Sequence, residues 1–166
     1  MHPAASRWVM DRIADHGLDR PAVTVLDLGG RYVNGNCRHL FTDARYLVVD
    51  IAPHPSVDVV ADAADLCLDE LFDVAICTEV LEHTARAAEI VANACRHLTR
   101  GGVFIATMAG PGRPEHGADG AGLRAGEWYR NVEPDELEEW LRAAGFAEWS
   151  VDVAGQDVRC VAVKGA

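Results

Sequence analysis

Three aspartates stand where a chain of this pattern would present them to a ligand. Asp27 lies in Leu26-Asp27-Leu28-Gly29-Gly30, where an apolar, strand-forming run meets two consecutive glycines. Glycine carries no Cβ, so the backbone there can approach a ligand closely; the same pair also suits a tight strand-to-helix turn with no ligand. Asp50 ends the next apolar run, twenty-three residues after Asp27. A carboxylate at that spacing accepts hydrogen bonds from both hydroxyls of a ribose, and its charge argues against a ribose 2′-phosphate. Asp62 follows Val59-Val60-Ala61. There a carboxylate and neighbouring backbone N–H groups can read the edge of an adenine ring, and the same residue can N-cap a helix over Ala63 to Leu71. No G-x-G-x-x-G fingerprint occurs, which ranks an NAD-dependent oxidoreductase last.

The elements that must hold these residues alternate between short β-branched runs and stretches of helical period. A leading segment, 1–20, carries a helix expected to start behind Ser6 as N-cap, to bury Val9 and Ile13, and to stop at Gly17. Strands are expected at Val23–Leu28, Tyr46–Asp50, Val57–Val60, Phe72–Cys77 and Val103–Met108. Between the last two, Ala87, Val91, Ala94 and Leu98 share one face of a helix that Gly101-Gly102 would end. Pro134 opens a final helix with Leu137, Trp140, Leu141 and Ala144 as its buried stripe and Gly145 as its stop. A hairpin of Ala147–Val153 and Asp157–Val163 follows. The strands are apolar on both faces, as in a parallel sheet covered on both sides. The result is a doubly wound α/β sheet with a reversed edge, whose ligand belongs at the carboxyl ends of strands one, two and four.

Composition narrows the functions open to such a fold. At 166 residues the chain fits a single domain, and with 49% hydrophobic residues and no run of eighteen apolar ones it is neither disordered nor membrane-spanning. The segment Met1 to Met10 has no apolar core of a secretory signal, so a cytoplasmic location is expected. Fifteen basic against twenty-six acidic residues give a net charge of −11, and Lys164 is the sole lysine. Neither nucleic acid nor an anionic membrane is an expected partner for that charge. The five cysteines show neither C-x-x-C nor zinc-finger spacing. They are expected to be buried thiols in a reducing compartment, with no disulfide and no metal.

Several segments in order carry a family resemblance: Val25-Leu26-Asp27-Leu28-Gly29, Asp50, Ala61-Asp62-Ala63, Asp73 through Cys77 with Thr78-Glu79-Val80-Leu81-Glu82-His83, and Leu98-Thr99-Arg100-Gly101-Gly102. Together they resemble the class I S-adenosylmethionine-dependent methyltransferases over roughly residues 22–165. The resemblance implies a Rossmann-like seven-stranded sheet, order 3-2-1-4-5-7-6 with the last strand antiparallel, and S-adenosyl-L-methionine as cofactor. It implies that Asp27 and Gly29 frame the methionine end of the cofactor and that Asp50 binds the ribose with Ile51 on the adenine. Asp62 and Ala63 would meet the adenine edge, and Thr78 and Glu79 would line the floor beneath the sulfonium. Where the family has further glycines, this chain has Arg31 and Val33; Gly30 and Asn34-Gly35 are expected to supply the turn instead.

The acceptor side is sought in the segment 109–132, which holds six glycines and two prolines and is read as a lid. Methyl transfer needs alignment above all, with a general base when the acceptor is protonated. His116 is one candidate base; His83 is its rival, with Glu79 and Glu82 expected to raise its pKa. Trp128 and Tyr129 would pack on an acceptor ring or anchor the lid. The expected enzyme acts on an oxygen or nitrogen of a small molecule, as a monomer or homodimer. The N/D-P-P-Y/F signature of amino-group DNA methyltransferases is absent after strand four. The alternative is a cofactor-binding partner or regulatory subunit without turnover.

Overall fold

Val25 and Leu26 are neighbours in sequence and belong to different hydrophobic cores. Side chains of a strand alternate between the two faces of its sheet, so each apolar strand here feeds both. The computed structural model describes residues 3–33 and 35–166. Its strands are β1 (Thr24–Leu28), β2 (Arg45–Asp50), β3 (Val59–Val60), β4 (Phe72–Thr78), β5 (Leu98–Ala109), β6 (Phe146–Ala154) and β7 (Asp157–Lys164). They form one sheet in the order β3-β2-β1-β4-β5-β7-β6. The first five run parallel, and β7 enters antiparallel between β5 and β6. The expected order and reversed strand are both present.

One face packs Val25, Val48, Val74 and Ile105 beneath α1 (Pro3–Asp15), which presents Val9 and Ile13. The other packs Leu26, Ala75 and Phe104 beneath α2 (Ala87–Arg96) and α3 (Pro134–Ala144). Burying one such side chain is worth about 1.5–3 kcal/mol, so both layers contribute to stability. In α3, Leu137 and Leu141 are fully buried while Trp140 and Ala144 pack at the margin. Gly145 takes φ 89° and ends the helix, because a left-handed residue there lets its N–H close on Leu141 and Arg142.

Four expectations need correction. α1 begins at Pro3, so Ser6 lies within the helix rather than capping it. No helix covers Ala63 to Leu71: Asp62 Oδ1 accepts the Ala64 N–H at 2.8 Å and closes a turn instead. α2 stops at Arg96, and Gly101-Gly102 belong to a longer β5. Phe72 pairs with Leu98 and Val74 with Val103, so residues 99–102 stand opposite Asp73 alone, an irregularity of three extra residues that Gly101 turns at φ 74°. Finally, Cys37, Cys77, Cys95 and Cys160 are buried, but Cys67 is exposed.

The stop of α2 is set by a buried histidine. His97 Nε2 accepts the Leu68 N–H at 3.0 Å, which leaves Nδ1 to donate to the Asn93 carbonyl at 2.8 Å. Its own carbonyl receives the Phe72 N–H at 2.8 Å and starts β4. His97→Ala is expected to cost about 1–3 kcal/mol by orphaning a buried N–H. The exposed control His39→Ala should stay within about 0.5 kcal/mol of the parent. Urea midpoints measure both; equal midpoints would remove His97 from this role.

Candidate active site

The carboxyl ends of β1, β2 and β4 converge on one edge, and each delivers an acid there. Asp27 is fully buried on the α1 face, where Tyr46 donates its hydroxyl to Oδ2 at 2.6 Å. Burial pushes the Asp27 carboxyl up to about 6, against the lowering effect of the Tyr46 hydrogen bond. The carboxyl lies against Gly30, where a Cβ would stand 2.3 Å from Asp27 Cγ. Gly29 is constrained twice: its φ is 77°, and a Cβ would meet Val80 Cγ2 at 2.3 Å. The glycine pair therefore keeps room for an acid on one side and for the β4 turn on the other.

Asp50, at the end of β2, accepts the Ala52 N–H at 2.9 Å. The Arg31 backbone N–H points to Asp50 Oδ2 at 3.4 Å, and Arg31 Nε stands 3.5 Å from Oδ1, the oxygen that accepts from Ala52. Arg31, one of the two departures from the glycine pattern, is thus drawn to the carboxylate expected to meet a ribose. Ile51 beside it is 74% exposed, an apolar face without a protein partner over it. Asp62 is held by Arg86, whose Nη1 reaches it at 3.0 Å and Asp65 at 2.6 Å. Ala63 is buried behind it. Asn34 lies outside the described residues; Gly35 after it takes φ 104°.

Glu79 follows Thr78 at the end of β4 in the left-handed region, φ 57°. Such a conformation costs a non-glycine residue of order 1 kcal/mol and persists where surrounding bonds impose it. Here the Glu79 N–H donates to the Thr107 carbonyl at 2.7 Å, and Thr107 Oγ1 donates back to Oε1 at 2.9 Å. Arg113 Nη2 holds Oε2 at 2.9 Å while its Nη1 holds Asp157 at 2.8 Å. Burial alone would depress the Arg113 guanidinium, but Glu79 and Asp157 outweigh it and hold its pKa above the ordinary value.

Glu82 sits in the 3-10 turn Leu81–His83 and has no exposed surface. Burial, with Glu79 near, pushes its carboxyl up to about 8. Contrary to expectation, the carboxylates do not raise His83: burial and His116 outweigh Glu79 and lower it. The segment between β5 and α3 is anchored over this edge. Arg130 N–H donates to the Glu82 carbonyl at 2.9 Å, Asn131 Nδ2 to the Arg113 carbonyl at 3.0 Å, and Tyr129 Oη to the Pro114 carbonyl at 3.3 Å. His83, His116 and Tyr129, read from the sequence as rival or separate candidates, form one cluster of rings. Their centroids lie 5.0 Å (His83–His116), 5.5 Å (His83–Tyr129) and 4.9 Å (His116–Tyr129) apart. Trp128 is exposed outside it.

Two adjoining cavities fill the edge. One, of about 310 Å³, runs between Asp27, Gly30, Thr78 and the loop residues Arg113 and His116. The other, of about 200 Å³, lies between Asp50, Ile51, Asp62 and Ala63. They share Gly29, Arg31, Glu79 and His83, so together they make one trough. Sequence reasoning missed Tyr46, Thr107 and the Arg86 clamp. Tyr46 alone left a signal, as a polar-tipped aromatic opening an otherwise apolar strand.

The sheet order and the acid-lined trough across its carboxyl ends define a Rossmann-like protein of the class I methyltransferase type. The chain belongs to the methyltransferase-domain family, whose model matches residues 3–151, and is an S-adenosylmethionine-dependent methyltransferase. Among solved structures it is similar to the 1,6-didemethyltoxoflavin-N1-methyltransferase of Burkholderia thailandensis with bound 1,6-didemethyltoxoflavin and S-adenosylhomocysteine. That likeness has 23% identity and a TM-score of 0.72 over 98% of this chain and 79% of that one. It is also similar to the amino pentose methyltransferase CalS10 of Micromonospora echinaspora, with 20% identity and a TM-score of 0.67 over 95% and 89% of the two chains. The N-methyltransferase NodS of Bradyrhizobium japonicum shares 16% identity at a TM-score of 0.63, over 99% and 98%. No curated protein sequence matches the chain significantly. The residues of the trough fit the cofactor: Gly29 and Gly30 stand where a side chain would collide with Val80 and with the Asp27 carboxyl, and carboxylates line the trough for a cationic sulfur. Among the described residues no helix is long and apolar enough to cross a membrane.

Asp27 and Glu82 both hold protons more tightly in the fold than their ordinary values allow. Between those values and about 6 and about 8 respectively, the folded state keeps protons that the unfolded chain has lost, so stability falls as pH rises through that window. Glu82→Gln is expected to exceed the parent in stability by about 1–3 kcal/mol near pH 8 and to match it near pH 4. Chemical unfolding at a series of pH values measures this; a difference independent of pH would mean Glu82 titrates alike folded and unfolded.

Proposed function

We propose that this methyltransferase methylates an oxygen or nitrogen of a small molecule held beneath a lid formed by residues 109–132, all within a single domain. The observation that carries this reading is the cluster of His83, His116 and Tyr129 beside the trough that Gly29 and Glu79 share. S-adenosylmethionine supplies an electrophilic methyl group on a positively charged sulfur. Asp50 binds the ribose hydroxyls, and Ile51 offers its exposed face to the adenine. Asp62 and Ala63 meet the ring edge, with Arg86 fixing the carboxylate in advance. Asp27, Gly29, Gly30 and Asn34 frame the methionine end. Thr78 and Glu79 floor the sulfonium, and the strain at Glu79 is sustained by Thr107 and Arg113.

Arg31 has to release Asp50 when the ribose hydroxyls arrive. Its contacts at 3.4 and 3.5 Å are long for hydrogen bonds, so the exchange costs little. On the acceptor side the lid excludes water, His116 or His83 takes the acceptor's proton, and Tyr129 flanks the acceptor. The low pKa tendency of His83 favours the neutral imidazole that such a step needs. Two structural neighbours lend support, since their names give small heterocyclic and amino-sugar acceptors. The family match does not favour a binding subunit without turnover.

Calorimetric titration with S-adenosylhomocysteine tests the cofactor half. Asp50→Ala is expected to weaken binding by about 2–4 kcal/mol through loss of charge-assisted hydrogen bonds. His116→Ala should bind as the parent does, and NAD should give no heat. Equal affinity in Asp50→Ala would remove Asp50 from the ribose.

A further inference from the structure

Glu82 and His83 come from the turn after β4, and His116 comes from the loop that crosses it. One carboxylate oxygen of Glu82 and one ring nitrogen of each histidine all lie within 4.8 Å of one another. Glu82 Oε1 accepts the Ala109 N–H at 3.0 Å; Oε2 is sealed from solvent with no hydrogen-bond partner among the described residues. A buried carboxylate oxygen left in that state is costly, and either a proton or a cation relieves it. His116 Nδ1 stands 3.1 Å from the Pro114 carbonyl, which can only accept. Nδ1 therefore carries the proton and Nε2 keeps its lone pair, the arrangement in which backbone carbonyls hold metal-binding histidines. Arg113 shares the wall but is spanned by Glu79 and Asp157, so its charge is compensated.

We infer that Glu82, His83 and His116 bind one divalent transition-metal cation of the zinc, cobalt or nickel kind at the acceptor mouth of the trough. Two imidazoles and one carboxylate suit such borderline ions better than magnesium or calcium, which take mostly oxygen. Metal bonds of about 2.0–2.2 Å bring donors to roughly 3–3.5 Å from one another, so small rotations of the two rings close the present gap. Three protein ligands leave positions open toward the cavity. The inference rests on the reading that the acceptor enters here, and it narrows the acceptor to one presenting an oxygen donor, such as a phenol, enol or hydroxyl. A cation at this place lowers the pKa of that group so that its proton leaves to solvent, and His83 and His116, then ligands, replace the base role given them above by holding the ion.

The untagged full-length chain, freed of metal with a chelator, is titrated with Co²⁺ and followed by visible absorption, which reports nitrogen and oxygen donors around the ion. One equivalent is expected to bind with new bands. Glu82→Gln and His116→Gln should each weaken it about tenfold or more, while the exposed control His39→Gln should not. His116 lies on a surface loop, so its variant tests the site without touching the buried carboxyl. S-adenosylhomocysteine is titrated into the same samples. Nucleoside binding without Co²⁺ uptake, or with uptake equal in both variants, overturns the metal site and leaves the methyltransferase reading standing. Co²⁺ uptake weakened in both variants upholds the site; if the parent then fails to bind the nucleoside, it is the reading of the trough as the cofactor site that falls.

Discussion

Crowding of negative charge at one edge of the sheet is the constraint around which the rest is arranged. Asp27, Asp50, Glu79 and Glu82 all arrive at the carboxyl ends of β1, β2 and β4, in a chain already carrying −11. Each acid needs its own remedy. Tyr46 donates to Asp27, Arg31 leans on Asp50, and Arg113 with Thr107 holds Glu79. Glu82 has backbone N–H groups as its remedy, and burial, with Glu79 near, still pushes its carboxyl up. A trough built this way favours cations. That property matches a sulfonium cofactor, and among the described residues that line the trough there is no lysine.

The same crowding fixes the shape of the backbone. Gly30 is small because the Asp27 carboxyl occupies the place of its side chain, and Gly29 is small because Val80 does. Glu79 holds a left-handed conformation that its neighbours impose. The loop over the trough is tied down by contacts to the very residues that form its floor: Arg113 to Glu79, and Arg130 to the Glu82 carbonyl. Charge pairing and chain path are one problem here. A change to any of these acids is felt in both the floor and the roof.

Much of this was legible in the sequence because it is local. Short apolar, β-branched runs located most strands to within a few residues, and Pro134 and Gly145 marked α3 at both ends. The ordered motif from Asp27 through Glu82-His83 carried the family. What failed was also local in origin but settled at a distance. Asp62 has the look of a helix cap, yet the chain after it turns because Arg86 and the Ala64 N–H take its two oxygens. Gly101-Gly102 look like a helix stop, but His97, bonded to Leu68 and Asn93, ends α2 earlier.

The sequence by itself determined the sheet, its reversed strand and the family, since side-chain period and turn chemistry act between near neighbours. Only the tertiary structure decided how the chemical groups combine. His83 and His116 are thirty-three residues apart and become ring neighbours because the loop after β5 folds back over the turn after β4. Burial, which no residue reports about itself, pushes the Asp27 and Glu82 carboxyls up. Arg31, a mismatch in the motif, acquires a role only when it is seen to reach Asp50. Contacts that close long loops depend on the packing of every element between them, and so they are decided by the fold rather than by spacing.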